Sequence, residues 1–182
     1  MKEFLDSVRA FVDRMIRHEA KYKTARRVLQ SQDFTSVDLR SISIITAALD
    51  VKIEQAKDAT CMLVIETEDS RDSKENVSFE GKIDGKTLIV RSSERYLHGA
   101  ELVVWLPSDW VSTDVRTKDG DVFITNCSVK RVAVSTESAD ISINGVVCDD
   151  MELSSRNGDV SALNIESKNK IRATSINGDV VR

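Results

Sequence analysis

Proline is almost missing from this 182-residue chain, which has Pro107 alone, and glycine occurs only seven times. That is little for a fold made of conventional tight hairpins, because these two residues supply turn conformations that others resist. Cysteine is scarce too: Cys61, Cys127 and Cys148 are odd in number, far apart, and form no C-x-x-C pair. A disulfide framework and a zinc site are therefore not indicated, and buried, reduced thiols in a cytoplasmic protein are expected. Histidine occurs only at His18 and His98, neither near a serine or cysteine motif. No P-loop, dinucleotide fingerprint, metalloprotease helix motif or nucleophile elbow is present. No catalytic residue, cofactor or metal is expected. The sequence lacks any apolar run approaching the roughly 20 residues of a membrane span. Asp6, Arg9 and Asp13 also interrupt the stretch where a signal peptide would need continuous apolar residues, so the expectation is a soluble, non-secreted chain. An excess of one charge sign is missing as well. With 26 basic and 30 acidic side chains the formal net charge is −4, and nucleic acid is not an expected partner.

What is present divides into two parts. Phe4, Leu5, Val8, Phe11, Val12, Met15 and Ile16 recur every three or four residues, which predicts an amphipathic helix over residues 3–20. Residues 1–30 carry eight basic and four acidic side chains, so this end is positive and the remainder negative. Seven apolar side chains on one face need a cover. The options are capping the chain's own first coil, pairing with another subunit or protein, and, least favoured, lying on an acidic membrane.

From about Phe34 the period changes to two, as in half-buried strands: Val37, Leu39, Ile42 and Ile44 alternate with polar residues. The segment from Glu66 to Asn76 reads as a surface loop, followed by a hairpin around Asp84-Gly85. An internal repeat then dominates. Asp121, Asp140, Asp159 and Asp179 recur at intervals of 19, 19 and 20, three of them preceded by Gly120, Gly158 and Gly178. Apolar pairs follow Asp121, Asp140 and Asp159 (Val122/Ile124, Ile141/Ile143, Val160/Ala162), and largely apolar pairs precede all four (Thr113/Val115, Val132/Val134, Met151/Leu153, Ile171/Ala173). Asp50, between Ile42/Ile44 and Val51/Ile53, fits the same template. A two-strand unit repeating in phase predicts a right-handed parallel β-solenoid with coils of about 19 residues. An antiparallel β-sandwich is the alternative.

The repeated Gly-Asp-Val element, the stretch Ala100-Glu101-Leu102-Val103-Val104-Trp105-Leu106-Pro107 and the strand Ala48-Leu49-Asp50-Val51-Lys52-Ile53 resemble a bacterial family of putative adhesins of unknown function, over residues 34–182. The resemblance implies a β-helical fold akin to the head domains of auto-transporter adhesins, and the family's name implies a cell-surface role.

The domain reading is an N-terminal helix over 1–24 and a solenoid over 25–182, with a hairpin and loop insertion at about 66–100. The turn glycines are expected to take positive φ, with the neighbouring Asp or Asn bonding the turn backbone locally rather than holding calcium. Trp105 is expected to pack in a strand rather than join Trp110 in a ligand platform. The densest acidic cluster, Asp149-Asp150-Glu152, shows no basic partner in register, which disfavours a polysaccharide-active enzyme. A non-enzymatic scaffold or binding module is the leading expectation, with a cytoplasmic regulatory domain acting through the helix as the alternative. Asn177 to Arg182 open a coil without completing it, so a homo-oligomer is expected, meeting through the C-terminal coils or the N-terminal helices.

Overall fold

The computed structural model describes residues 27–35, 37–58, 61–67, 77–93 and 100–182. In chain order the strands are β1 (Arg27–Asp33), β2 (Ser41–Ile45), β3 (Asp50–Gln55), β4 (Met62–Thr67), β5 (Ser78–Asp84), β6 (Thr87–Ser93), β7 (Ala100–Leu106), β8 (Ser112–Thr117) and β9 (Val122–Thr125). They continue as β10 (Arg131–Thr136), β11 (Ile141–Asn144), β12 (Val147–Cys148), β13 (Asp150–Ser155), β14 (Val160–Leu163), β15 (Glu166–Ser167), β16 (Ile171–Ser175) and β17 (Val180–Val181).

Alternation of apolar and polar residues puts one side of each strand inward, and two sheets face each other across the core. The first has eight strands in the order β1-β4-β7-β3-β9-β11-β14-β17, and the second has seven, β16-β13-β10-β8-β2-β6-β5. A third, short side is the parallel pair β12-β15. A coil therefore takes a strand of the second sheet, turns through the Asp corner into the first, and returns along the short side.

Like stacks on like. In the first sheet Leu102, Val51, Val122, Ile141, Val160 and Val180 form one ladder in direct register. Exposure along it is 0–1% until the last rung, where Val180 is 39% exposed. The second sheet repeats the pattern with Val90, Ile44, Val115, Val134, Leu153 and Ala173, all buried. The apolar residues that follow the aspartates thus stack in register, interior at Val122, Ile141 and Val160 and exposed at Val180, and Asp50 does belong to a copy of the same coil.

The architecture departs from the expected one in order and direction. The β2–β3 coil, first in sequence, sits between the β6–β7 coil and the β8–β9 coil. The chain leaves after β3, builds the hairpin and the β6–β7 coil on the far side, then returns to continue the stack. At that far end β1 and β4 run antiparallel in the first sheet, and β5 runs antiparallel to β6 in the second. A uniformly parallel solenoid led by a helix is therefore corrected: among the described residues every element is a strand, and the two large sheets are mixed and open. The physical reason for the β5–β6 reversal is local. A two-residue turn with Gly85 at φ 59° can join only antiparallel strands. The sandwich alternative fails equally, because β8 to β17 pair only in parallel. The expected helix over residues 3–20 lies outside the described residues. So does most of the expected 66–76 loop, although Glu66 and Thr67 complete β4.

Ile141 is 1% exposed and lies between Val122 and Val160. Ile141→Asp would bury an unpaired carboxylate there and should destabilise the fold by on the order of 3–5 kcal/mol. Leu163→Asp, on an outer face at 43% exposure, should change stability by no more than about 0.5 kcal/mol. Urea titration of both variants checks the pair; equal midpoints would contradict the ladder.

Candidate interaction surface

The repeated corners come first, since they set the spacing of everything on the surface. Each Asp carboxylate reaches across to the neighbouring coil. Asp50 Oδ1 accepts the Asp121 amide at 2.9 Å, Asp121 Oδ1 that of Asp140 at 2.9 Å, Asp140 Oδ1 that of Asp159 at 2.8 Å, and Asp159 Oδ1 that of Asp179 at 2.8 Å. The aspartates therefore do not bond their own turns, as expected from the sequence, but the next coil's. Nor do the corner glycines take positive φ. They are required by close approach: a Cβ on Gly120 would lie 2.2 Å from the Leu49 carbonyl oxygen, and one on Gly158 would lie 2.1 Å from that of Ala139. Local bonding at this corner comes from hydroxyls instead, with Thr117 Oγ1, Ser155 Oγ and Ser175 Oγ accepting the amides of Gly120, Gly158 and Gly178 at 2.9–3.0 Å.

Left-handed backbone occurs at the other corner. Asn126 (φ 51°), Gly145 (φ 66°) and Asn164 (φ 52°) end successive first-sheet strands. Asparagine and glycine tolerate that region best. Their 19-residue spacing is a second signal of the repeat period in the sequence.

These corners and the core absorb the nucleophile candidates. Cys61, Cys127 and Cys148 are free and buried, as expected. Burial pushes the Cys61 and Cys127 thiols up to about 12, each helped by a nearby carboxylate, Asp33 or Glu54, and raises Cys148 as well. Thr136 Oγ1 donates to the Ala139 carbonyl at 2.8 Å. Both tryptophans are buried. Trp110 packs in the main core with its indole N–H donating to the Ser112 carbonyl at 2.9 Å, and Trp105 packs in a separate cluster on the outer face of the first sheet, so they do not form an exposed platform. His18 and His98 lie outside the described residues.

What the fold leaves on display is the outer face of the second sheet. Its register lines up Ser43, Asp114, Ala133, Glu152 and Arg172 in one row, and Ser41, Ser112, Arg131 and Asp150 in the next. Small side chains keep the middle of the face flat. Toward its β16 edge a cleft of about 380 Å³ is lined by Arg131, Asp150, Glu152, Asn169, Lys170 and Arg172 over Val132 and Met151. Asn169 Nδ2 donates to Asp150 Oδ1 at 3.0 Å, and beside the cleft Lys168 pairs with Asp149 at 2.5 Å, a contact that raises the lysine's pKa. The acidic cluster therefore does have basic partners in register: Arg131 stands against Asp150 and Arg172 against Glu152, at offsets of 19 and 20 residues. The repeat period carries that information at the outward positions as it does at the apolar ones. Solvated guanidinium, ammonium and carboxylate groups in rows one coil apart suit charge-assisted hydrogen bonding to a polar partner spanning several coils.

The sequence profile of the Toastrack DUF4097 family matches residues 39–181. No curated protein sequence matches the chain. Among solved structures, a putative cell adhesion protein from Clostridium sporogenes ATCC 15579 is similar, with a TM-score of 0.54 over 87% of this chain and 98% of that one at 6% identity. A putative adhesin from Bacteroides fragilis NCTC 9343 aligns with a TM-score of 0.39 over 87% of this chain and 98% of that one at 12% identity. At 6% identity the first likeness is one of fold.

One corner residue makes the chemistry of the Asp ladder measurable. Asp50, at the inserted coil, has its pKa raised, mainly because burial penalises the ion, with the Asp121 and Glu101 carboxylates adding to it and the Asp121 amide opposing. The folded state thus holds this proton more tightly than the unfolded chain. The stabilisation is fully present below the ordinary value of 3.8 and is lost as pH rises through the raised value. Asp50→Asn keeps an oxygen acceptor for the Asp121 amide without the buried charge. Its melting temperature should equal or exceed that of the unaltered protein at neutral pH and lose that advantage near about pH 3. Asp50→Ala should melt lower at both.

Proposed function

We propose a binding role for this chain, which belongs to the Toastrack DUF4097 family. It is a non-enzymatic module that presents the flat outer face of its second sheet to another macromolecule, with the Arg131–Asp150–Glu152–Arg172 cleft at the centre of the contact. The observation that carries this reading is the division of labour among polar groups. Thiols and corner hydroxyls are consumed by the fold, whereas charged side chains of both signs are exposed in rows at coil spacing. Each exposed pair contributes only about 0.2–1 kcal/mol. Useful affinity then comes from many such contacts along the stack, which a repetitive partner such as a polysaccharide or an extended protein can supply. The names of the similar structures, putative cell adhesion protein and putative adhesin, accord with a binding role at a surface.

Surface-plasmon binding of the unaltered protein and of an Arg131→Glu/Arg172→Glu variant to immobilised collagen, fibronectin, heparin and polygalacturonate tests the reading. The expected result is retention on at least one of the four, reduced tenfold or more by the double charge reversal while the far-ultraviolet strand signal is unchanged. No retention on any, or equal retention of the variant, would overturn the assignment of this face. Chain shortening of polygalacturonate would replace binding with cleavage as the activity.

A further inference from the structure

Two faces of the first sheet are apolar where β4 meets β7. Leu63, Ile65, Leu102 and Val104 belong to the core between the sheets. On the opposite face the antiparallel register sets Met62 against Trp105 and Val64 against Val103. These four are only 3, 7, 2 and 3% exposed respectively, and with Ala56 and the partly buried Val28 they form a cluster separate from the core. Farther along the same face Leu163 is 43% exposed and Phe123 is half-buried. Strand neighbours alone thus leave an outward side chain substantially open to water, and every described member of the cluster lies in the sheet or at its border. Something lies across the β4–β7 face.

We propose that the cover is this chain's own N-terminal segment, residues 1–26, seated through the apolar side chains between Phe4 and Ile16. The chain enters the first sheet at Arg27 in β1, directly beside β4, so the segment begins at the border of the patch. Its seven apolar side chains match in character the apolar cluster on the outer side of that sheet. Charge agrees as well. Glu66, Glu101 and Asp50 stand in one row across β4, β7 and β3 along the rim of the patch, while residues 1–26 hold seven basic side chains against four acidic. So seated, the segment lies on the flank of the stack; at the far end of the stack β1 and β5 lie as edge strands.

Trp105 reports on the cover directly, because Trp110→Phe leaves it as the chain's one indole. In that background the full chain should show blue-shifted emission and slow acrylamide quenching. Adding Val8→Asp and Phe11→Asp should shift the emission to the red and raise the quenching constant several-fold, with the far-ultraviolet strand signal unchanged. If that variant loses the strand signal, Phe11→Ala is read in the same way with a smaller shift. Quenching that stays slow in the variant would overturn the proposal. Protection that disappears on dilution, together with a halving of the mass by light scattering, would also overturn it and name a second copy as the cover. These readings are independent of the second-sheet face, so the binding role can fail without this proposal failing.

Discussion

A carboxylate in one coil holding the backbone amide of the equivalent residue in the next is the contact on which the stack depends. It recurs from Asp50 through Asp121, Asp140 and Asp159 to Asp179, at 2.8–2.9 Å each time. The main chain answers in the other direction, with the amides of Val51, Val122, Ile141 and Val160 donating to the carbonyls of Asp121, Asp140, Asp159 and Asp179 at 2.8–2.9 Å. Each corner is thus bonded on both sides of the coil boundary, which forces equivalent residues into register. Because side chains alternate faces with a period of two, a slip of one residue would turn every apolar rung outward. The glycine before Asp121, Asp159 and Asp179 answers a local demand, since a Cβ there would meet the backbone carbonyl of Leu49, Ala139 or Gly158, whereas Leu49 and Ala139 hold the equivalent positions before Asp50 and Asp140.

That dependence explains what was legible in the sequence. Stacking in register makes structurally equivalent residues chemically alike, so the 19-residue period, the apolar ladders and the membership of Asp50 in the series could all be read from similarity. Similarity between coils does not state which coils are neighbours. The insertion of β2–β3 between β6–β7 and β8–β9 is carried by contacts between residues 71 apart, such as Asp50 with Asp121, and nothing in either corner distinguishes that distance from 19. The reversed strands β4 and β5, and β1 beyond β4, lie outside the repeat and bear no Asp corner, so the template was silent about them. The roles of the corner residues were misassigned for a related reason. A Gly-Asp turn looks the same whether glycine is chosen for positive φ or for close approach, and the second depends on a coil that is remote in sequence.

The outer face of the second sheet and the β4–β7 patch on the outer face of the first have opposite characters, and the alternation of the strands displays both. On the second sheet the outward positions of β8, β10, β13 and β16 carry Asp114, Arg131, Asp150, Glu152 and Arg172 among serine, threonine and alanine, a surface compatible with water and with a polar partner. On the first sheet the outward positions of β4 and β7 are Met62, Val64, Val103 and Trp105, incompatible with water and buried, with Glu66 and Glu101 at their rim. In such a stack the core accounts for folding and the outward residues are free to differ from coil to coil. Function is therefore to be sought in those outward rows.

The central claim is the order of the coils, and residue-resolved amide hydrogen exchange of the full chain tests it most directly. With β2 and β3 flanked on both sides, amides of residues 41–45 and 50–55 should exchange among the slowest in the protein, and those of β16 and β17 at the open edge should exchange far faster. A solenoid stacked in sequence order would put residues 41–55 at an end. Exchange there as fast as in residues 171–181 would contradict the account.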